Sequence, residues 1–368
     1  MSRGSAPLID RRLTVLVVDD SAVARMHLVH LLEADPEIRV IGTVNDGEAA
    51  IAFLKEHQPN VVLMDVNMPG LDGFETTRRI METHPVAVVI CSGTENPQDL
   101  AATFRVLEAG AVACAEKPVG YERREFEQTA SELRHVVKQM ARIKMVTHWQ
   151  RAAAARSLES SEPPVKRRCY PKGIAVVGIG ASTGGPVALQ KIFADLPKDF
   201  SPPILVVQHI GPGFIGGLTT WLGATTSLQI GLASHGAQPL PGHVYFAPDG
   251  HHMGLARDGS IDLSQAPPEN EMRPAISYLF RSLARECGPA AVGVMLTGMG
   301  EDGAIELKQM RDEGAMTIAQ DSATSVVHGM PGVAIALGGA THVSALGDIA
   351  TKLVGIVRHA KANGSARS

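Results

Sequence analysis

The chain has 368 residues, of which 45% are hydrophobic and 20% charged, so it can bury more than one core and is too apolar to be disordered. Two domains are the default expectation for this length. Uncharged apolar runs, such as residues 174–181 and 331–340, are much shorter than the roughly 18–20 residues that span a bilayer, which excludes direct membrane insertion. Residues 1–12 lack the apolar core of a secretion signal, so we expect a cytoplasmic protein.

The cysteines indicate the cellular compartment of the protein, and the charge distribution bears on its partners. The four cysteines lie far apart, at Cys91, Cys114, Cys169 and Cys287. This spacing fits neither a disulfide framework nor a metal-binding CxxC pair, and it is typical of a reducing compartment. Residues 1–140 and 173–368 each carry an acidic excess, whereas residues 141–172 carry a basic one. Neither large block offers the basic face that neutralises phosphates, so we exclude nucleic acid as the main partner.

The first half of the chain alternates short apolar runs with helix-like stretches. The predicted strands lie at residues 14–18, 38–42, 61–64, 86–91 and 112–115, and the predicted helices include residues 22–33 and 73–82. Alternation of this kind indicates an α/β domain with a parallel sheet of the doubly wound, flavodoxin-like type. We predict this domain over residues 11–135, followed by a helix extension and an interdomain linker over residues 136–172.

The second half repeats the alternation and predicts a second doubly wound, Rossmann-like domain over residues 173–360. Its predicted strands lie at 174–179, 204–208, 291–296 and 316–319, and its predicted helices at 186–195, 274–287, 302–312 and 346–357. Between residues 236 and 264, Pro-Gly and Asp-Gly pairs separate short segments, which is typical of β-hairpin turns. We therefore expect an antiparallel β-hairpin at the edge of the parallel sheet.

Polar side chains follow four of the strands predicted in the first half. These are Asp19 with Asp20, then Asp65, Ser92 and Lys117. Because the carboxyl ends of parallel strands meet at one edge, we expect these side chains to lie together. Three carboxylates repel one another unless a cation lies between them, and oxygen ligands favour Mg²⁺. Asp65 is then a candidate nucleophile for a phosphoryl group, since the metal and the Lys117 ammonium would offset its charge.

The glycine-rich loop at residues 178–186 lies between an apolar strand and a helix that starts with Pro186. One interpretation is a nucleotide cradle, in which glycine N–H groups bind a phosphate at the helix N-terminus. The strict GxGxxG spacing fails, however, and the loop has no Walker lysine. The other interpretation is a GxSxG turn over residues 180–184 that lifts the Ser182 hydroxyl above the sheet edge as a nucleophile.

A serine nucleophile needs a base and an orienting carboxylate at the same edge of the sheet. His209 follows the strand predicted at 204–208, and Asp302 follows the strand predicted at 291–296. Since strand ends meet at one edge, Ser182, His209 and Asp302 can converge. The chain order Ser, His, Asp differs from the order of the α/β-hydrolases.

Each member of this triad has an alternative. Ser182 could serve only to bind phosphate, His209 could be a buried core histidine, and Asp302 could merely cap the helix that it begins. The other candidate bases and the competing carboxylate lie in predicted loops: His235, His243, His251, His252, His328 and Glu301. Position at a strand end favours His209, and the residues alone leave both interpretations of the loop open.

Three motifs in the first half resemble the receiver domain of two-component response regulators: VVDDS at 17–21, MDVNMPGLDG at 64–73 and EKP at 116–118. The resemblance implies that Asp65 accepts the phosphoryl group, that a histidine kinase such as CheA donates it, and that Ser92 and Lys117 act as switch residues. It also implies a Mg²⁺ ion held by Asp19, Asp20, Asp65 and the backbone carbonyl of Asn67. Cys114 stands where receivers usually have an aromatic residue.

Seven motifs in the second half together resemble the CheB family of chemotaxis methylesterases. They lie at 180–186, 208–209, 244–248, 273–274, 297–303, 320–321 and 329–331. The resemblance implies that Ser182 is the nucleophile, that His209 is the base and then the acid, and that Asp302 orients His209. It further implies that the backbone N–H of Met299, with help from Thr183, binds the oxyanion.

Together the two resemblances imply a phosphorylation-activated hydrolase that removes γ-methyl esters from glutamates of methyl-accepting chemoreceptors. Deamidation of receptor glutamines is also expected, because both reactions pass through one acyl-enzyme. No cofactor is expected in the catalytic domain. The alternative is a non-catalytic output module that binds a phosphate or nucleotide and is gated by phosphorylation of the receiver.

Overall fold

The computed structural model describes residues 12–93, 104–118, 124–141 and 173–365. The chain divides into two compact units: residues 1–93 with 108–145, and residues 94–107 with 146–368. Most of the predicted linker, including Cys169, lies outside the described residues. None of the helices in the described part of the chain has the length and hydrophobicity that a membrane span requires.

The first unit is built on a five-stranded sheet. Its elements are β1 (Leu13–Val18), α1 (Ala22–Glu33), β2 (Ile38–Val44), α2 (Gly47–Glu56), β3 (Val61–Met64), α3 (Gly73–Thr83), β4 (Ala87–Ser92), β5 (Ala113–Glu116) and α4 (Arg124–Ala141). The strand order is β2-β1-β3-β4-β5, and every pair is parallel. This order confirms the predicted flavodoxin-like class.

Local sequence signals explain where the first three helices of this unit begin. Ser21, Asp46 and Asp72 each cap a helix by accepting a hydrogen bond from the backbone N–H three residues later. Strands β3 and β4 are buried along their whole length, as expected for parallel strands that are covered on both faces. The loops that follow β1, β3, β4 and β5 therefore share one edge of the sheet.

The second unit is built on a seven-stranded sheet and a separate two-stranded one. Its elements are β6 (Val176–Ala181), α5 (Gly185–Asp195), β7 (Ile204–Gln208), α6 (Ile215–Thr225), β8 (Gln229–Leu232), β9 (His243–Phe246), β10 (His252–Leu255), β11 (Ile261–Ser264), α7 (Ile276–Glu286), β12 (Ala291–Met295), α8 (Ala304–Asp312), β13 (Met316–Gln320), α9 (Met330–Ala336), β14 (His342–Ser344) and α10 (Leu346–Ser365). The order of the large sheet is β14-β13-β12-β6-β7-β9-β8, and all of its pairs are parallel. The predicted doubly wound class is confirmed.

The segment between residues 236 and 264 differs in detail from the hairpins predicted there. The predicted antiparallel pair is present as β10 and β11, but it forms its own two-stranded sheet rather than an edge of the large one. Strand β9, also in this segment, pairs in parallel with β7 and β8. The glycines of the three predicted turns, Gly242, Gly250 and Gly259, all have positive φ angles.

Helix α7 packs very closely against the central strand β6. A Cβ atom at Gly178 would lie 2.3 Å from Leu283, and one at Gly180 would lie 2.4 Å from Ile276. Glycine at both positions therefore lets the helix approach the sheet. The N-terminus of α7 is brought in this way to the carboxyl end of β6.

Candidate active site and phosphorylation site

Ser182 lies in a sharp turn between β6 and α5. Gly185 N donates a hydrogen bond of 2.8 Å to Ser182 O, and Ser182 N donates one of 3.1 Å to Thr297 O. Gly184 has a φ of 77°, and a Cβ atom there would lie 2.5 Å from Val326. The turn thus requires a left-handed residue with no side chain, as the GxSxG interpretation expects.

His209 follows β7 directly and lies beside the serine turn. Ala181 and Gln208 are paired in the parallel ladder, so Ser182 and His209 follow a matched pair of residues. His209 N continues the ladder with a 2.9 Å hydrogen bond to Ala181 O. The His209 side chain is only 7% exposed. The sheet therefore brings the predicted nucleophile and the predicted base together at one edge.

Asp302 lies against the ring of His209, with 3.0 Å between Asp302 Oδ2 and His209 Nε2. The ring N–H is not aligned with the carboxylate, and Nε2 has no hydrogen-bond partner among the described residues. No hydrogen bond joins Ser182 to the ring in this part of the chain either. Catalytic hydrogen bonds often tighten only when substrate binds, so the absence of these two bonds does not contradict the predicted roles.

The Asp302 carboxylate is held by a dense set of donors from another part of the unit. Oδ2 accepts from Ile276 N at 2.6 Å, and Oδ1 accepts from Ser277 N, Ser277 Oγ and Asn270 Nδ2 at 3.2, 2.6 and 2.9 Å. Burial alone would raise the pKa of Asp302, but His209 and the donors of Ser277 and Asn270 lower it below its usual range. The carboxylate is therefore ionised at neutral pH.

The interpretation of Asp302 as a cap of its own helix is wrong. Helix α8 begins at Ala304 after Gly303, which offers no side-chain cap. Asp302 instead accepts from the first two N–H groups of α7, whose own flanking residue, Ala275, has no capping side chain. The carboxylate thus lies at the positive end of the α7 dipole.

The loop after β12 approaches the serine turn from the other side. Thr297 Oγ1 donates a 2.9 Å hydrogen bond to Thr183 O, and Thr297 N donates one of 2.8 Å to Gln320 Oε1. A Cβ atom at Gly298 would lie 2.8 Å from Ser182 Cβ. Met299 follows Gly298 directly and so lies near the predicted nucleophile. Its N–H and that of Thr183 remain predicted oxyanion donors.

The competing bases are engaged elsewhere. His252 is a buried core histidine that accepts from Ala275 N and contacts Pro267 O through its other nitrogen. The rings of His235, His243, His251 and His328 contact Asp262, Pro241, Asp249 and Ser325, respectively. Glu301, the competing carboxylate, is exposed. Of all these groups, only His209 with Asp302 forms a buried pair beside Ser182.

In the first unit, the predicted acidic cluster is present. Carboxylate oxygens of Asp19, Asp20 and Asp65 lie within 4.8 Å of one another. Lys117 Nζ lies 2.7 Å from Asp19 Oδ2 and 2.8 Å from Asp65 Oδ1. Burial raises the pKa of Asp65, the charges of Asp19 and Asp20 raise it further, and Lys117 only partly offsets them. One ammonium does not neutralise three carboxylates, so the donor set fits a hard divalent cation such as Mg²⁺.

The remaining predicted residues of this site lie on neighbouring segments. Ser92 is buried at the end of β4, and its carbonyl accepts a 2.8 Å hydrogen bond from Lys117 N. Asn67 is exposed in the loop two residues after Asp65, and its carbonyl remains a predicted metal ligand. Burial raises the pKa of the Cys114 thiol on β5 to about 12. Cys91, Cys114 and Cys287 are free thiols.

Comparison with known proteins decides the family. The family model "CheB methylesterase" matches residues 177–353, and "Response regulator receiver domain" matches residues 15–130. Protein-glutamate methylesterase/protein-glutamine glutaminase of Nitrosospira multiformis is 47% identical over 94% of this chain and 97% of its own length. A Geobacter metallireducens relative of the same name is 47% identical over 93% of this chain and 98% of its own.

The chain belongs to the CheB methylesterase family. Among solved structures, the CheB methylesterase catalytic domain of Thermotoga maritima is 38% identical and covers 50% of this chain and 99% of its own, with a TM-score of 0.49. The predicted family and enzyme class are confirmed by the curated relatives. The roles of individual residues remain predictions.

Four residues that support the site were given no role from the sequence, although Gln208 and Gln320 lie within the family motifs. Asn270 and Ser277 bind Asp302, Gln208 contacts the serine turn, and Gln320 supports Thr297. Gln208 and Gln320 each end a buried strand, and that position of a polar residue is a usable signal. Asn270 and Ser277 carry no such signal, because the fold alone brings them to Asp302.

The acidic cluster should make the stability of the receiver depend on pH and Mg²⁺. Because the folded-state pKa of Asp65 lies above its unfolded value, its ionised form opposes folding above about pH 4. We expect Asp65→Asn to raise the melting temperature at pH 7 and to have little effect at pH 3, where both states hold the proton. Mg²⁺ should raise the melting temperature of the wild type more than that of Asp65→Asn.

Calorimetry of the full chain with and without Mg²⁺ provides the measurement. Glu56→Gln, an exposed carboxylate on α2 that loses the same charge, is the matched control and should respond to Mg²⁺ like the wild type. Equal Mg²⁺ shifts for the wild type and Asp65→Asn would contradict the metal site.

Proposed function

We propose that this CheB-family protein is a phosphorylation-activated methylesterase that hydrolyses glutamate γ-methyl esters on chemoreceptors by a Ser-His-Asp mechanism. It also deamidates receptor glutamines. The observation that supports this best is the buried pair of His209 and the ionised Asp302, which lies at the sheet edge beside Ser182. A buried carboxylate that orients an imidazole beside a serine is the arrangement that acyl transfer requires.

In the first half-reaction, Ser182 Oγ attacks the ester carbonyl while His209 takes the hydroxyl proton. His209 Nε2 faces Asp302, so Nδ1 is the nitrogen that receives this proton. The negative carbonyl oxygen is bound by the backbone N–H groups of Met299 and Thr183. The tetrahedral intermediate collapses, His209 returns the proton to the leaving oxygen, and methanol departs from the acyl-enzyme.

In the second half-reaction, His209 removes a proton from water, and the resulting hydroxide attacks the acyl group. The C–O bond to Ser182 breaks, His209 protonates Ser182 Oγ, and a free glutamate is released. When the substrate is a glutamine, ammonia leaves in place of methanol and the deacylation step is the same. The Asp302 carboxylate stabilises the imidazolium in both steps.

The receiver provides regulation, with Asp65 as the group that accepts phosphate from a histidine kinase such as CheA. Asp19, Asp20, Asp65 and the Asn67 carbonyl would hold Mg²⁺, which offsets charge on the phosphoryl oxygens. Lys117 lies within hydrogen-bond distance of Asp65 and adds a second positive charge. The Ser92 hydroxyl binds a phosphoryl oxygen. Because chemoreceptor methylation sites face the cytoplasm, we place the enzyme there.

Release of labelled methanol from methylated chemoreceptor tests both proposals together. The wild type should release methanol faster in the presence of a small phosphodonor and Mg²⁺, whereas Asp65→Ala should keep its basal rate. An equal rate with and without phosphorylation of Asp65 would contradict the regulatory proposal. No release by a folded, phosphorylated wild type would contradict the enzymatic one and favour a phosphate- or nucleotide-binding output module.

A further inference from the structure

Gln208 connects the two segments that carry the proposed nucleophile and base. It is the last residue of β7 and is 3% exposed. Its Nε2 donates one hydrogen bond of 2.8 Å to Ser182 O and another of 2.8 Å to His209 O. One carboxamide therefore binds the main chain at both residues.

These bonds begin where the backbone ladder ends. The register of β6 and β7 stops at the pair of Ala181 and Gln208. One further backbone bond, from His209 N to Ala181 O, follows before the two chains separate into different loops. The Gln208 side chain thus extends the cross-strand connection by one residue, to the level of Ser182 and His209 themselves.

The surroundings of the amide leave it little free space. A Cβ atom at Gly185 would lie 2.0 Å from Gln208 Oε1 and 2.9 Å from Ala181 Cβ, so a side chain at this position would displace the amide and press on the end of β6. Oε1 is buried and has no hydrogen-bond partner among the described residues. A buried acceptor without a partner costs free energy, so Oε1 by itself would disfavour a glutamine here. The two hydrogen bonds that Nε2 donates are therefore what favours a glutamine over an apolar residue at this position.

We propose that Gln208 is a positioning residue that fixes the spacing between the Ser182 nucleophile and the His209 base. The inference rests on the proposed Ser-His-Asp function. Without the two hydrogen bonds, the turn of residues 182–184 and the loop after residue 208 can shift independently. A displacement of about 1 Å between reacting groups can lower a rate by about 100-fold, so a small relaxation is enough to affect catalysis.

Two variants test the positioning role, one by changing Gln208 itself and one by changing the residue packed against its amide. Gln208→Met removes both donors at similar length, and Gly185→Ala displaces the amide while Gln208 is retained. For each, we expect kcat for methanol release to fall by about 100-fold while KM changes by less than about 3-fold. The rate at which a fluorophosphonate labels Ser182 should fall in parallel, because it depends on the same serine and base. Gln309→Met, at an exposed position on α8, is the matched control.

Rates are measured per active site, titrated with the fluorophosphonate, and folding is followed by circular dichroism and thermal unfolding. If the two substitutions act through the same amide, the double variant should be no slower than Gln208→Met alone. A purely structural role predicts a lower melting temperature with unchanged kcat per titrated site, and this result would overturn the proposal. If Gln208→Met does not fold, Gly185→Ala decides between the two outcomes in the same way.

The wild type separates this inference from the function on which it rests. A wild type that neither releases methanol nor reacts with the fluorophosphonate would contradict the proposed function itself. An active wild type with equally active, folded variants would contradict only the positioning role of Gln208.

Discussion

Replacing Ser182 by alanine is expected to lower kcat for ester hydrolysis by about 10⁴- to 10⁶-fold, because no acyl-enzyme can form without the hydroxyl. The residual rate would come from the oxyanion donors and from substrate binding. Stability should change by less than about 0.5 kcal/mol, since the side chain is only partly buried. Methanol release and thermal unfolding of the same preparation provide the two measurements.

Ser227→Ala is the matched control for this experiment. Ser227 is exposed in the loop between α6 and β8, so its loss should change neither rate nor stability. A Ser182→Ala variant that keeps more than a tenth of the wild-type kcat would be incompatible with nucleophilic catalysis by this residue. The same preparation should also fail to react with a fluorophosphonate.

Asp302→Asn is expected to lower both activity and stability. An asparagine at an equivalent position of the serine protease triad lowers kcat by about 10⁴-fold because the imidazole takes the wrong tautomer, and we expect a loss of similar size here. The carboxylate also accepts hydrogen bonds from Ile276, Ser277 and Asn270, and an amide cannot accept all of them. We expect the free energy of unfolding to fall by about 2–4 kcal/mol at pH 7.

The stability effect of Asp302→Asn should depend on pH in a defined direction. The folded state lowers the pKa of Asp302, so its stabilising contribution is complete above the unfolded value of about 4 and is lost as pH falls toward the folded value. The difference between wild type and variant should therefore be constant from pH 5 to 8 and should shrink below pH 4. Urea denaturation across this range measures it.

Ser277→Ala separates the two roles of the Asp302 carboxylate. It removes one donor to Asp302 but leaves the charge and the contact with His209 in place. We expect it to cost about 1–2 kcal/mol of stability and less than about 10-fold in kcat. If Asp302→Asn affected stability and activity no more than Ser277→Ala does, Asp302 would not be the orienting carboxylate.

The sequence predicted the parallel sheets well, and the reason is burial. Strands β6, β7, β12 and β13 are buried at every position, and their sequences are apolar except at Gln208, Thr317 and Gln320. The edge strands β8 and β14 have three or four residues with exposed positions and carry no such run. Strand β9 directly follows a Pro-Gly turn, which favoured the hairpin interpretation over a parallel strand.

The residues of the site also fall into those that a local sequence pattern could predict and those that it could not. The positions of Ser182, His209 and Asp65 at the sheet edges could be predicted because each follows a buried strand, and strand ends converge in this class of fold. The role of Asp302 as the cap of α7 could not be predicted, because its partners lie 25 and 26 residues earlier in the chain. Such contacts depend on how α7 packs against β6, which no local pattern specifies.

The glycines of the serine turn each have a separate physical reason. Gly180 admits the side chain of Ile276 from α7, Gly184 adopts a left-handed conformation beside Val326, and Gly185 leaves space for the Gln208 amide. A glycine-rich loop that holds phosphate needs its glycines for close approach of a ligand. Here the protein's own side chains occupy those spaces. A similar glycine pattern in another chain therefore does not by itself distinguish a serine turn from a nucleotide cradle. The side chains that pack against the glycines must be known as well.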